Sequence, residues 1–532
     1  MREHGDPAAG EAEAGLVREE FRQAHWSEPI IFEMSQAGER GVLLPEPEAT
    51  IRDAVGPAAQ LMPEELLRPT PPALPELSQK QVLAHYLHLS QETLGANLAN
   101  DISQGTCTMK YNPRVHELLA ADPRFAELHP DQDEETAQGI LEIFHRFGQI
   151  LLEISGMSEV SLQPGGGSHA VFTAARMIRS YFAARGEGDT RDEVITTVFS
   201  HPCNAAAPAT AGFKVITIYP GEDGLPDPLA LKAAVSPRTA AIFMTNPEDI
   251  GLYNPRVREF IDVVHAAGGL AFYDQANANG FLGVARAREA GFDICHFNVH
   301  KTFGAPHGSF GPGNGALLCT EALAPFLPVP VVVQAGDGYR LDYDRPQTIG
   351  KIRDYFGTAG VVLRAYAWVM TMGAEGLREV ADVSVLNNSY LMKRLEDVSG
   401  LDHAFAGNGL RRMEQVRYSW RRLKEETGVG TEDVHRRVAD FGLPHYFLSH
   451  HPLLVAEPMT LEPCETYSIR DMDEYAAVLH RVAAEGYRDP ELVRSSPHRS
   501  AAHRRKDDAA LSDPARWALT WRAHLRKGAD RD

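Results

Sequence analysis

A single lysine, Lys301, lies between an apolar run and a glycine-rich loop in the stretch FNVHKTFGAPHGSFGPGNG. The run before it, DICHFNVH, is typical of a buried strand, so the ammonium group that follows is expected to be partly desolvated. Desolvation favours the neutral amine, which is the nucleophile of Schiff-base chemistry. Although most lysines are solvated surface residues, this position predicts a reactive one.

Three more features follow predicted strands and offer other kinds of chemistry. Asp274, in LAFYDQANANG, suits a cationic ring nitrogen or a metal ion, although an acid at a strand end is more often a cap or turn former. His201, in VFSHPCNAAAPATAG, is an imidazole that can stack on a ring, although a lone loop histidine usually has no such role. Gly165–Gly167 precede Ser168 and open a helix, where backbone N–H groups suit either a phosphate or an ordinary tight turn.

Together the four features form a set that none of them implies alone. A phosphate cradle, an acid for a ring nitrogen, an imidazole and an amine are the groups that hold pyridoxal 5'-phosphate. The sequence therefore predicts this cofactor. A metal site at His296 and His300 is disfavoured, because four residues of strand separate them by ~13 Å at about 3.3 Å per residue. No metal is expected.

These residues lie at the ends of strands that alternate with helices between about 160 and 320. The stretch NPRVREFIDVVHAAGG has the pattern of an amphipathic helix between two strands, an order that predicts a mostly parallel sheet covered on both faces. Such sheets bind ligands beyond the carboxyl ends of their strands, where all four features fall. The predicted strands are EVITTVFS, FKVITIYP, AAIFMTNP, GLAFYDQAN, DICHFNVH and GALLCT.

The chain as a whole divides into five predicted segments of an α/β protein. Residues 1–78 are expected to form a flexible N-terminus and an extended, proline-rich arm, and residues 79–158 a helical segment with an apolar stripe. Residues 159–356 form the predicted cofactor-binding large domain, and residues 357–486 a smaller C-terminal α+β domain. Residues 487–532 form a basic tail with one candidate helix.

Composition limits the classes of function. The 532 residues carry a formal net charge of −20, which argues against affinity for nucleic acid or for an anionic membrane surface. The sequence has no run of about eighteen apolar residues and no apolar secretory core, so the protein is expected to be cytoplasmic. The five cysteines are widely spaced, which disfavours a disulfide framework and a structural zinc site.

Several motifs resemble those of one enzyme family, the P protein of the glycine cleavage system, a pyridoxal-phosphate glycine decarboxylase. The similarity is to the catalytic half, in the form of the separate second subunit of two-subunit bacterial enzymes, and runs from about Pro29 to about Ser500. It implies an aspartate-aminotransferase-like fold for the large domain. The motifs are HFNVHKTFGAPHGSFGPG, GTCTMKYNPRVHE, AELHPDQDEETAQG, TNPEDIGLY and YDRPQTIGKIRDYFG.

The resemblance implies a role for each candidate residue. Lys301 would form the Schiff base with the cofactor, Asp274 would pair with the ring nitrogen, and His201 would stack on the ring. The further cofactor contacts that it implies are Gly166, Gly167, Ser168 and His300. The candidates for the substrate region are Thr245, Asn246, His307 and Phe310.

The family also implies a substrate and partners. Glycine would lose carbon dioxide, and the remaining aminomethyl group would pass to the lipoyl group of a carrier, the H protein. In the split form a homologous first subunit completes the enzyme. A homodimer of this chain is the alternative to that first subunit.

Several motifs depart from the family pattern, among them the segment around Lys301 and the segment after the predicted strand AAIFMTNP. Ser309 and Phe310 replace glycines beside Lys301, and a phenyl ring there would fill space that a lipoyl arm needs. In the motif TNPEDIG, Glu248 and Asp249 replace the second asparagine and the second threonine of the family's TNPNTLG. Because the cofactor contacts are kept while their surroundings vary, one alternative is a divergent homologue that acts on another amino acid in specialised metabolism, without a lipoyl partner. A catalytically silent paralogue is the third hypothesis.

Overall fold

The computed structural model describes residues 17–18, 21, 23–70, 72–92, 100–103, 110–306, 311–407, 409–443, 449–450, 454–499, 522 and 525–526. The chain divides into two compact units. The smaller unit contains the described residues of 21–94 and 499–532, and the larger unit contains those of 1–20 and 95–498. The candidate helix near the C-terminus falls almost entirely outside the described residues.

The smaller unit is built from short helical pieces. Helix α1 spans Ala49–Val55 and helix α2 spans Gln79–Gln91, with 3-10 turns at Ala58–Leu61 and Glu64–Leu66. Among the described residues between 43 and 78, no regular element is longer than α1, as the spacing of the prolines predicts. Helix α2 begins at a capping box, in which the backbone N–H of its third residue donates to the hydroxyl of Ser78.

The larger unit contains a seven-stranded sheet in the order β1-β7-β6-β5-β4-β2-β3. Strands β2 to β6 run parallel to one another, whereas β7 is antiparallel to both β6 and β1. This confirms the prediction of a mostly parallel sheet. The strands are β1 Glu159–Ser161, β2 Glu193–Thr197, β3 Lys214–Ile218, β4 Thr239–Thr245, β5 Leu270–Gln275, β6 Ile294–Asn298 and β7 Gly315–Cys319. A separate hairpin pairs β8, Val331–Ala335, with β9, Gly338–Asp342.

Helices precede, connect and follow these strands. Before the sheet come α3 Arg114–Ala120, α4 Pro123–Ala126, the 3-10 turn Glu134–Thr136 and α5 Gln138–Ser155. Within it lie α6 Gly167–Ala184, α7 Cys203–Thr210, α8 Pro228–Ala234, α9 Val257–Ala266 and α10 Ala287–Ala290, followed by the 3-10 turn Ala324–Phe326. After it come α11 Ala359–Arg394, α12 Arg421–Thr427, α13 Thr431–Ala439, α14 Ile469–Arg488 and α15 Pro490–Arg494.

Both faces of the sheet are buried, as a sheet with helical crossovers requires. Phe243 and Phe272 belong to the core under α6, whereas Ile242 and Tyr273, which are their chain neighbours, belong to the core under α9. Successive strand residues therefore pack on opposite faces, and the polar residues collect at the strand ends.

Helix α5 buries the apolar stripe that the sequence predicts. Ile140, Phe144, Phe147 and Leu151 are buried, and Ile143 is partly buried against the same core. The three- and four-residue spacing places these side chains on one helical face. Helix α5 ends at Gly156, which adopts a left-handed conformation with φ of 73°.

The C-terminal part of the larger unit has its own core and a small antiparallel sheet. Strands β10 Asp402–His403, β11 Val416–Ser419 and β12 Pro458–Leu461 pair in that order. Trp420 and Tyr475 are the largest fully buried side chains of this core. This α+β architecture beside a mostly parallel sheet matches the predicted fold class.

Candidate active site

The carboxyl ends of β4, β5 and β6 bring the predicted residues to one edge of the sheet. Thr245 is the last residue of β4 and lies in register with Asp274 on β5. Asp274 lies in register with His296 on β6. Lys301 lies in the turn after β6, and its backbone N–H donates to the carbonyl of Asn298 at 3.0 Å. The parallel pairing of these strands is what places residues from distant parts of the sequence side by side.

Asp274 is a buried carboxylate with a defined set of partners. Asn204 Nδ2 donates to its Oδ2 at 2.7 Å, and the backbone N–H of Ala276 donates to its Oδ1 at 3.0 Å. His296 Nε2 lies 3.5 Å from Oδ1. Burial by itself raises the pKa of Asp274, but His296, His201 and these hydrogen bonds together hold it below the usual value. Asp274 is therefore an anion with 3% of its surface exposed.

Lys301 shares the surroundings of Asp274. Its side chain is partly buried, and its positive charge acts on His201, His296 and Cys203, each of which also feels the charge of Asp274. An anion and a primary amine are thus set within one buried neighbourhood. These are the two kinds of group that pyridoxal chemistry uses, one at the ring nitrogen and one at the aldehyde.

His201 lies two residues before α7 and is held as a neutral imidazole. Its Nδ1 accepts the backbone N–H of Cys203 at 3.1 Å, which leaves the proton of the neutral ring on Nε2. Burial, followed by the charge of His450, lowers the pKa of His201 to about 4, although Asp274 acts in the opposite direction. Near neutral pH the ring is therefore uncharged, which suits stacking on an aromatic cation.

The glycine turn meets the same edge at the first residue of α6. Gly166 is extended, and a Cβ atom there would meet nothing within 4 Å, whereas a Cβ atom on Gly167 would lie 2.8 Å from the amide of Asn298. The backbone N–H of Gly165 donates to His169 Nδ1 at 3.2 Å, which fixes the turn. The turn thus sets the N-terminus of the eighteen-residue helix beside Asn298, at the end of β6.

A cation that the sequence did not single out lies beside this turn. Arg353 Nη1 donates to Thr358 Oγ1 at 2.9 Å and would lie 3.1 Å from a Cβ atom on Gly165. A guanidinium at this distance is suited to an anion held by the turn. Arg353 belongs to the motif YDRPQTIGKIRDYFG, which supports the family resemblance. The spacing of Arg353 in the sequence gives no sign of a contact with the glycine turn.

The close approach at Gly167 gives a testable prediction. The variant Gly167→Ala should destabilise the cofactor-free protein by about 1–3 kcal/mol, because the added methyl group must displace the Asn298 amide. Gly166→Ala is the matched control, since its methyl group enters open space on extended backbone and should leave the free energy of unfolding nearly unchanged. Urea unfolding of both variants measures the difference. Equal stabilities would contradict the packing described here.

The remaining candidates differ in their placement. Thr245 Oγ1 lies 3.5 Å from Asn204 Nδ2, the group that also binds Asp274. Asn246 instead fixes its own loop, because its Oδ1 accepts the backbone N–H of Asn254 at 2.8 Å. His300 is buried, and its Nδ1 accepts the backbone N–H of Asn314 at 3.1 Å. The candidates His307 and Phe310 lie outside the described residues.

Sequence reasoning missed a pair of buried glutamates from the C-terminal part. Glu462 Oε1 accepts hydrogen bonds from Asn277 at 2.6 Å and Asn279 at 3.1 Å, both in the loop after β5. Burial, followed by the negative charge of Glu414, raises the pKa of Glu462 to about 8, and the charge of Lys301 opposes this rise. Burial also raises the pKa of Glu414 to about 7. The site therefore contains carboxyl groups that hold protons near neutral pH.

The residues present fit pyridoxal phosphate. A buried anion, a partly buried amine, a neutral imidazole and an open helix N-terminus lie along one sheet edge, and the side chains of Asn204 and Asn298 each keep a buried oxygen without a partner among the described residues. Across the same residues no group of three or more histidine, cysteine or acidic side chains is placed to bind a metal ion. Every described helix is too short or too polar to cross a membrane.

Comparison with known proteins identifies relatives of both the sequence and the fold. Residues 162–330 match the class-V aminotransferase family, and residues 380–492 match the C-terminal domain of glycine dehydrogenase. Relatives named probable glycine dehydrogenase (decarboxylating) subunit 2 are 42% identical in Pyrococcus abyssi and 40% identical in Halalkalibacterium halodurans. These alignments cover 95% and 91% of this chain and 98% and 97% of the relatives. A crystal structure of inhibitor-bound glycine decarboxylase, the P protein, covers 83% of this chain and 99% of its own, with a TM-score of 0.68 at 22% identity.

Proposed function

Because the chain belongs to the family of glycine dehydrogenase (decarboxylating) subunit 2, we propose that it decarboxylates glycine and passes the aminomethyl group to a lipoyl carrier protein. Membership in this family confirms the prediction of a pyridoxal-phosphate-dependent enzyme with an aminotransferase-like fold. The observation that carries the proposal for the site is the shared neighbourhood of Asp274 and Lys301 at the carboxyl ends of β5 and β6.

Each residue of the site has a task in this reaction. Pyridoxal phosphate, when bound, supplies a cationic ring that accepts the electron pair left by departing carbon dioxide. Asp274 would hold the proton on the ring nitrogen, because a buried anion beside that nitrogen stabilises its cationic form. Lys301 would hold the cofactor through its amine, which is the nucleophile at this site.

The remaining tasks concern the phosphate, the ring face and the protons. The N-terminus of α6, with Gly166, Gly167 and Ser168, would hold the phosphate, and Arg353 lies close enough to the turn to share its charge. His201 would lie on the ring face as a neutral imidazole. Glu462 hydrogen bonds to the loop after Asp274 and is placed to hold a proton near Lys301.

The partners belong to the proposal as well. A first subunit homologous to this one would complete the enzyme, and a lipoylated H protein would accept the aminomethyl group. A homodimer of this chain is the alternative assembly. The hypothesis of a divergent enzyme for another amino acid is not favoured, since relatives that share the name cover 95% of the chain at 42% identity.

Exchange of labelled bicarbonate into the carboxyl group of glycine tests the proposed function. The purified chain would be assayed alone, with its first subunit, with lipoylated carrier, and with both. We expect exchange to rise at least about a hundredfold when both partners are present, since the acceptor and the second half of the site are then supplied. Exchange with the carrier alone would establish the homodimer instead.

An amino-acid panel provides the control. Glycine, alanine and serine would be added to the cofactor-loaded chain while its absorbance spectrum is followed. Glycine should shift the spectrum and the larger amino acids should not. A protein that binds the cofactor, fails to exchange glycine in every combination and responds to another amino acid would refute glycine as the substrate.

A further inference from the structure

A buried arginine of the C-terminal part fixes an acid at the edge of the main sheet. Arg417, on β11, is fully buried and donates from Nε to Thr460 Oγ1 at 2.9 Å and from Nη2 to Asp249 Oδ2 at 3.1 Å. A buried guanidinium requires a carboxylate partner, so this pair sets the position of Asp249. Asp249 is one of the two acids that depart from the family motif TNPNTLG.

Asp249 in turn orients a second histidine at the site. His450 Nδ1 lies 2.9 Å from Asp249 Oδ2, and the side chain of His450 keeps 18% of its surface exposed. The ring of His450 packs edge-to-face on the ring of His201, with centroids 4.5 Å apart and planes 70° apart. Arg417, Asp249, His450 and His201 therefore form one continuous chain of contacts that ends at the predicted cofactor face.

The two imidazoles have different surroundings. His450 lies beside the carboxylate of Asp249, with its Nδ1 2.9 Å from Oδ2. Burial lowers the pKa of His201, whose Nδ1 accepts a backbone N–H, so a proton added to the pair is resisted at His201. The other titratable or charged groups around them are Arg417, which pairs with Asp249, the buried Glu248, whose pKa burial raises to about 8, and Lys301 and Asp274, whose charges also act on His201.

We propose that Asp249 and His450 are positioning residues that keep His201 in place and uncharged against the cofactor ring. The inference rests on the proposed function, in which the ring beside His201 is cationic. A second cation stacked on that ring would be repelled, whereas a neutral imidazole is attracted to it. The contact with Asp249 holds the ring of His450 against His201, where, after burial, the charge of His450 lowers the pKa of His201.

Titration of the histidine rings in the cofactor-free protein tests this directly. The NMR signal of His201, identified by its loss in His201→Gln, should titrate near pH 4 in the wild type and at least one pH unit higher in His450→Gln. His450→Phe keeps a ring against His201 but cannot be charged, so it should cause a smaller rise. Both variants leave the pair of Arg417 and Asp249 intact, so the larger unit keeps its buried charges paired.

Cofactor affinity gives the second readout. Between pH 7.5 and pH 5.0 the dissociation constant of pyridoxal phosphate should rise about two- to tenfold more in His450→Gln than in the wild type, because only the fraction with neutral His201 binds. His265→Gln is the matched control. His265, on α9, makes a similar pair with Asp293 at 2.8 Å, and its variant should behave as the wild type.

Two results would overturn the inference: a His201 midpoint that is unchanged in both His450 variants, or a cofactor affinity with the same pH dependence in His450→Gln and the wild type. Either result would reduce His450 to a packing residue. Failure of the proposed function would look different, because a wild type that binds cofactor without exchanging glycine still shows these histidine titrations. The two outcomes are therefore separable.

Discussion

Lys301→Ala should abolish covalent attachment of pyridoxal phosphate and lower glycine exchange by at least about a thousandfold. The variant lacks the amine that lies in the neighbourhood of Asp274, so the cofactor is held only by its phosphate and ring contacts. The measurement is borohydride reduction followed by peptide mapping, together with the exchange rate. In the wild type the label should map to the peptide that contains Lys301.

Two further variants separate the amine from its charge. Lys301→Arg keeps a positive charge beside His201 and His296, but a guanidinium stays protonated and cannot act as the nucleophile. It should fail as completely as alanine. Lys232→Ala removes an exposed lysine paired with Glu259 at 3.1 Å and should change nothing. A reducible lysine–cofactor bond that persists in Lys301→Ala would disprove the assignment.

The strand-end residues of the main sheet were predictable from the sequence, because parallel sheets bind ligands beyond the carboxyl ends of their strands. The apolar runs before Asp274 and Lys301 indicate strands, and the helices between runs indicate that the strands are parallel. The antiparallel direction of β7 was not predicted. It follows from the segment between β6 and β7, where the described residues form no crossover helix, because parallel neighbours require such a crossover.

The contacts that the C-terminal part makes with the loops after β4 and β5 could not be predicted from the sequence in this way. Glu462 meets Asn277 across 185 positions of sequence, and Arg417 meets Asp249 across 168. Periodicity reports which face of an element is buried, but it says nothing about which distant element covers that face. A weak signal did exist at Asp249, since an acid in the loop after a buried strand needs a partner if it is itself buried, and that partner is Arg417.

His296 shows a third kind of limit. The sequence presented it as an alternating strand residue, and its spacing from His300 argued only against a metal. The register of β5 with β6 places its ring 3.5 Å from Asp274, where it helps to keep the carboxylate ionised. Register depends on the whole sheet, and one residue of slip would have turned the ring to the opposite face.

Asp274→Asn should lower glycine exchange by about 10²–10³-fold while the cofactor remains attached to Lys301. The substitution keeps the size of the side chain and removes its charge, so the ring nitrogen loses the anion that holds its proton. The fold should tolerate the change. Asn204 keeps a buried oxygen without a partner among the described residues, so its amide can turn over and accept a hydrogen bond from the introduced amide group instead of donating to a carboxylate.

A cofactor analogue distinguishes loss of charge from loss of structure. Pyridoxal phosphate methylated on its ring nitrogen is permanently cationic and needs no carboxylate to stay so. It should raise the glycine exchange rate of Asp274→Asn at least about tenfold. It should not raise the rate of Lys301→Ala, where the amine itself is missing. Asp293→Asn is the matched control, because Asp293 pairs with His265 and accepts the backbone N–H of Ala271 at the opposite end of the strands. It should alter stability without altering exchange. Full activity of Asp274→Asn, or an analogue that binds to it without any rescue, would place the anion for the ring nitrogen elsewhere.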